Sequence, residues 1–172
     1  MPDPHQHADS RGWIESILRY IPGFSGYLEK GYRRESDELA RKWLADQLDE
    51  GKRGVDELVN VLTSQGRLAD LNPCQSLHTQ IDLIVGKLRS APAGYSGFFD
   101  FVQVDETQLE KVYSIDMGLV EKVQQARLKL ASLADRSDEV NLAVREVTGM
   151  LESIRSSFAQ RGEILSGLAQ TK

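Results

Sequence analysis

The chain is short of cysteine, of proline and of long apolar runs, and each shortage removes a class of protein. Cys74 is the one cysteine in 172 residues, so no intrachain disulfide can staple the fold, and a reducing, cytoplasmic setting is expected. Five prolines and 14 glycines are too few for a collagen-like or Pro/Gly-rich chain. No stretch approaches the ~20 apolar residues of a membrane helix, and residues 1–12 (MPDPHQHADSRG) are polar, so neither a span nor a leader is expected. Positive charge is not in excess either. With 21 basic and 26 acidic groups the net charge is −5, a poor match to nucleic acid or anionic lipid. What is present, 40% apolar and 27% charged residues, is the composition of an ordinary globular protein.

Hydrophobic spacing carries the fold reading. Val140, Val144, Val147, Leu151, Ile154, Phe158, Arg161, Leu165 and Leu168 recur at steps of four and three, which predicts a helix over about 138–169 behind the turn and cap Asp135–Asp138. Leu109, Val112, Asp116, Leu119, Val123, Ala126, Leu130 and Leu133 predict a second, about 105–134. Tyr32, Leu39, Trp43, Leu48, Val55, Leu58 and Leu62 give a third over 28–65, in which Gly51 and Gly54 are weak points at ~1 kcal/mol each. A fourth runs from about Pro73 to Arg89, and a short one over 10–20 stops at Pro22-Gly23. The only strand candidate is 98–104 (FFDFVQV). The expected fold is all-α: an elongated antiparallel up-down-up-down helical bundle over 10–170, with a short extra N-terminal helix and a flexible polar tail at 1–9.

Two turns share one pattern of Gly, aromatic, Ser, Gly, aromatic: Gly23–Tyr27 after Pro22, and Gly94–Phe98 after Pro92. Eight of the twelve aromatic residues lie in or beside them. Phe24, Tyr27, Tyr95, Phe98, Phe99 and Phe101 therefore form a candidate cluster at one end of the bundle. It is either a buried end cap or an exposed apolar patch for a partner. The run Ile21 to Asp37 (IPGFSGYLEKGYRRESD) resembles a segment of an uncharacterised family of bacterial helical proteins, in which Pro-Gly-aromatic-x-Gly-Tyr precedes Arg-Arg-Glu. The resemblance covers about a tenth of the chain. It implies a bacterial helical protein and supplies no catalytic or ligand residue.

Chemistry-bearing residues are few. Asp116 and Arg161 occupy core-facing positions, where charge is costly unless paired, and register counting from the turn near 136 brings them within about one helical turn (~5.4 Å), so a structural ion pair is expected; the alternatives are that one of the two charges reaches out to solvent at the seam edge, or that Arg33 or Arg34 takes Arg161's place. His5 and His7 sit in the polar tail. His78 has Gln75 rather than glutamate three residues earlier, so the Glu-x-x-His pair of a di-iron bundle is missing. A phosphoacceptor role for His78, a thiolate at Cys74 favoured by a helix start, and a divalent-cation site in the acidic stretch 100–121 are the remaining enzymatic or metal readings. No phosphate-cradling glycine loop is present, and no cofactor is expected. Trp13, Ile14, Ile17, Leu18 and Ile21 could make 10–21 a membrane-surface helix, but its polar face (Arg11, Glu15, Ser16, Arg19) is mixed rather than basic, and packing on the bundle is the favoured reading. The leading expectation is a non-enzymatic scaffold or adaptor that contacts a protein, or a second copy of itself, through a helix face or the aromatic end. The alternatives are a small phosphotransfer or metal-dependent module and peripheral membrane attachment.

Overall fold

The computed structural model describes residues 4–91 and 106–170, with side chains over 11–91 and 107–167. Among these residues every regular element is helical: α1 (Pro4–Leu18), α2 (Arg33–Ser64), α3 (Leu71–Ser90), α4 (Glu106–Ala131) and α5 (Val140–Gln170). Short 3-10 turns at Lys30–Tyr32, Leu68–Asp70 and Ala134–Glu139 lead into α2, α3 and α5. The strand candidate at 98–104 lies outside the described residues. No described helix is long and apolar enough to cross a membrane.

Two boundaries differ from the sequence reading. α1 begins at Pro4 rather than near residue 10, so part of the stretch read as a tail is helical. Proline suits a helix start, because the amide hydrogen it lacks would have no acceptor in the first turn. α2 begins at Arg33, and Tyr32 is exposed rather than on its core stripe. The buried face at the start of α2 is Arg33, Ser36, Asp37, Ala40 and Leu44. That spacing of three and four is helical, but three of its members are polar, so hydrophobicity alone passes over it.

The chain divides into two compact units. One comprises Met1–Trp43, Ser90–Val120 and Ser156–Lys172, the other Leu44–Arg89 and Glu121–Arg155. In the second unit the core is aliphatic, built from Leu48, Val55, Leu58 and Leu62 of α2, Leu77, Ile81 and Leu88 of α3, Val123 and Leu130 of α4, and Val147, Leu151 and Ile154 of α5. Gly51 and Gly54 belong to this packing, and α2 continues unbroken through both. A methyl group on Gly54 would overlap the backbone carbonyl of Leu130, and one on Gly51 would lie 2.6 Å from Leu130 Cδ1. Glycine there lets α2 and α4 approach more closely than any side chain permits, which offsets its low helix propensity. Interhelical polar pairs rim the unit: the ion pairs Lys52 Nζ to Asp82 at 2.8 Å and Arg89 Nη2 to Asp46 and Asp49 at 3.2 Å each, and a hydrogen-bond contact of His78 Nε2 with Asp56 at 2.9 Å.

The first unit is built differently. Its apolar residues, among them Ile17, Ile21, Phe24, Leu109, Val112 and Leu165, surround a polar centre formed by Arg33, Ser36, Asp37, Asp116 and Arg161. That centre is where the chain's buried chemistry is concentrated.

Candidate functional site

The site is organised by the turn between α1 and α2. After α1 ends, Ile21 N–H donates to the Ile17 carbonyl and Phe24 N–H to that of Ile21, at 2.9 and 3.2 Å. Gly26 then takes a positive φ of 82°. A side chain there would be strained by the backbone and would also meet Ile14 Cδ1 and the Tyr113 hydroxyl, both 2.7 Å from the Cβ position. Glycine thus brings the backbone against Tyr113, and the next residue, Tyr27, turns fully inward.

Helices α2 and α4 hold the turn by its main chain. Ser25 N–H donates to Ser36 Oγ at 3.1 Å, and Tyr27 N–H donates to the Tyr113 hydroxyl at 2.7 Å. Arg33 Nε donates to the Tyr27 carbonyl at 2.7 Å. These bonds supply partners for backbone groups that burial would otherwise strand. The rings pack as well: Tyr27 stacks on Tyr113 with centroids 5.3 Å apart, and Phe24 meets Tyr27 edge-on at 5.5 Å. Such pairs add ~0.5–1.5 kcal/mol each beyond area burial.

Beneath Tyr27 lies a chain of charges. Its hydroxyl donates to Asp116 Oδ2, and Arg161 Nε donates to Asp116 Oδ1 at 2.5 Å. Arg161 Nη2 donates to the Tyr27 hydroxyl at 2.9 Å, while Nη1 lies 2.8 Å from Asp37 Oδ1. Asp37 Oδ2 accepts from Arg41 Nε at 2.9 Å. The two residues singled out for an ion pair, Asp116 and Arg161, are therefore in contact, and the structure adds Tyr27, Asp37 and Arg41 to them.

Electrostatics follow from burial and charge. Burial raises the Tyr27 hydroxyl well above the ordinary phenol range, and the Asp116 carboxylate pushes it further the same way. Tyr113 is raised for the same first reason. Burial opposes the charge on Arg161, but Asp116, Tyr27 and Asp37 outweigh it, so its pKa stands well above the usual guanidinium value. Arg33 is drawn below that value by burial, with Tyr113 acting in the opposite direction. Both oxygens of each carboxylate face a donor or cation, and the cluster is closed to water. Buried charges paired in this way are suited to fixing the register between elements.

The other residues nominated from the sequence lie elsewhere. Phe24 and Tyr27 are 2% and 0% exposed, so they are core residues rather than a surface offered to a partner. The reason is that Gly23 and Gly26 fold the turn back onto α2 and α4. Tyr95, Phe98, Phe99 and Phe101, with Asp100, Asp105 and the side chain of Glu106, lie outside the described residues, as do the side chains of His5 and His7. His78 faces Asp56 through Nε2 in the other unit. Cys74 is buried, and burial raises its thiol pKa, the opposite of an activated thiolate. Among the described residues no group of three or more His, Cys, Asp or Glu is placed to hold a metal ion. Ile17 and Ile21 of the apolar face over 10–21 are buried, and Leu18 is exposed. Sequence reasoning missed Asp37 and Tyr113, and it considered Arg33 only as a substitute for Arg161 opposite Asp116, whereas Arg33 holds the Tyr27 carbonyl. The signal for Arg33 and Asp37 was present as the 33, 36, 37, 40, 44 spacing, which marks a face without regard to polarity.

Comparison with family models, with curated proteins and with solved structures finds no match to this chain.

Proposed function

We propose that this chain is a non-enzymatic helical scaffold or adaptor that acts through protein–protein contacts on a helix face. The observation that carries the reading is where charge and apolar surface are spent. The buried charges of the first unit are consumed by one another, whereas the second unit leaves leucines on its helix faces: Leu83 on α3, Leu128 on α4 and Leu142 on α5, 61%, 64% and 52% exposed. Leucine side chains so exposed gain ~1.5–3 kcal/mol each when a partner buries them fully. The long helices are arranged up-down-up-down. Support comes from the order of pairs between α2 and α3, where residues 46 and 49 meet 89, 52 meets 82 and 56 meets 78, as neighbours of opposite direction do.

Photo-crosslinking residues placed singly at 83, 128 and 142 in the full chain test the reading in the cells of origin. The expected result is a discrete protein adduct from at least one position, reproduced with the purified partner. No adduct from any of the three overturns it.

A further inference from the structure

We infer that the groove between α3 and α5 is a docking site for an amphipathic helix that carries acidic side chains beside its apolar stripe. The inference rests on the adaptor reading above and names its surface and partner. The groove, about 350 Å³, has Ile84 and Leu151 among its lining and Leu83 standing exposed on one side. Its polar lining includes Lys87, one turn beyond Leu83 on α3, and Arg155, one turn beyond Leu151 on α5, with Glu152 beside them. Two helices flanking an apolar trough make the shape that receives a third helix, read out by side chains at i, i+3, i+4 and i+7.

Charge selects the occupant. Several cations of this unit are matched across helices: Lys52 by Asp82, Arg89 by Asp46 and Asp49, Arg127 by Glu50, and Arg136 by Glu146 across the turn into α5. Lys87 and Arg155, like Arg53 and Arg145, stand in no ion pair among the described residues, and of these four Lys87 and Arg155 line the groove beside the exposed Leu83. In a chain of net charge −5, two unmatched cations flanking an apolar trough favour acidic residues on whatever fills it. A second copy presenting the same face would bring only Glu152 to the two cations, so an acidic helix of another protein fits better.

The experiment uses the full chain and two synthetic helical peptides that share one Leu/Ile stripe, one peptide flanking it with glutamates and the other with lysines. Binding is followed by fluorescence anisotropy at low salt. The glutamate peptide is expected to bind about tenfold more tightly than the lysine peptide. The double variant Lys87→Glu/Arg155→Glu is expected to reverse that preference, and Leu83→Asp to weaken both. Leu83 is largely exposed, so its variant keeps the fold, which circular dichroism verifies. Absent binding, equal binding of the two peptides, or binding indifferent to Leu83→Asp overturns the inference. So does a concentration-dependent dimer in sedimentation that Leu83→Asp dissolves, since a second copy would then cover the groove. Crosslinks from 128 or 142 but not from 83 would leave the adaptor reading standing and remove this site alone.

Discussion

Arg161 Nε donates to Asp116 Oδ1 at 2.5 Å in a site closed to solvent, joining residues forty-five positions apart in the chain. A buried pair of this kind is worth little relative to well-packed apolar residues, yet breaking it from one side strands a charge. Arg161→Met, which leaves Asp116 and Asp37 buried without their shared cation, is expected to cost ~3–5 kcal/mol in urea unfolding. Combined with Asp116→Leu, the loss should fall short of the sum of the two single losses by ~0.5–3 kcal/mol. Strict additivity would mean that the two side chains do not depend on each other.

Alkaline pH should destabilise the fold. The Tyr27 hydroxyl is raised in the folded state by burial and by Asp116. The folded protein therefore holds a proton that the unfolded chain releases above about pH 10. The stability this contributes is fully present below the unfolded phenol value and declines as pH rises from there towards the folded value. Tyr113 and Cys74, also raised chiefly by burial, act in the same direction, Cys74 from a lower pH. Denaturant midpoints are expected to fall progressively above about pH 9–10. In Tyr27→Phe the fall should be shallower, from a lower starting stability, because Asp116 has lost a donor. A midpoint that stays flat through this range in the parent chain would count against the buried phenols.

Gly54 and Gly149 should respond to alanine in opposite ways. Both lie within helices, where alanine is ordinarily favoured by ~1 kcal/mol. Nothing stands within 4 Å of a Cβ at Gly149, so Gly149→Ala is expected to raise the thermal midpoint. At Gly54 the new methyl would overlap the Leu130 carbonyl, a backbone atom that moves only with α4. Gly54→Ala should lower the midpoint, and more than Gly51→Ala, whose obstacle is the end of the Leu130 side chain. Thermal melts of the three variants decide the order.

Phe24→Ser is expected to unfold the first unit rather than spare the fold and impair partner contact. The ring is 2% exposed and meets Tyr27 edge-on at 5.5 Å. Emptying such a site costs ~3–5 kcal/mol. Near-ultraviolet circular dichroism would report the loss of the packed aromatic signal, and an unchanged spectrum would contradict this placement.

Hydrophobic spacing alone determined that the described residues are helical and where most of the turns among them fall. It also put Leu109, Val112, Leu119, Val123, Val140, Val147, Leu151 and Ile154 in the core, since every one of them is buried. Such periodicity is local, and a stripe of apolar residues must be covered whatever covers it. The Asp116–Arg161 contact was also legible, because charges on an apolar seam require partners and helical rise converts residue counts into distance. Only the tertiary structure could bring Tyr27, Arg33, Asp37 and Tyr113 to that pair. The polarity of Arg33 and Asp37 reads as surface in the sequence, Tyr27 reads as one ring of an aromatic end cluster, and the burial of all four depends on a turn whose position is set by contacts far away in the chain. It likewise decided the role of Gly54, which reads as a weak point in one helix and is instead the space into which another helix fits.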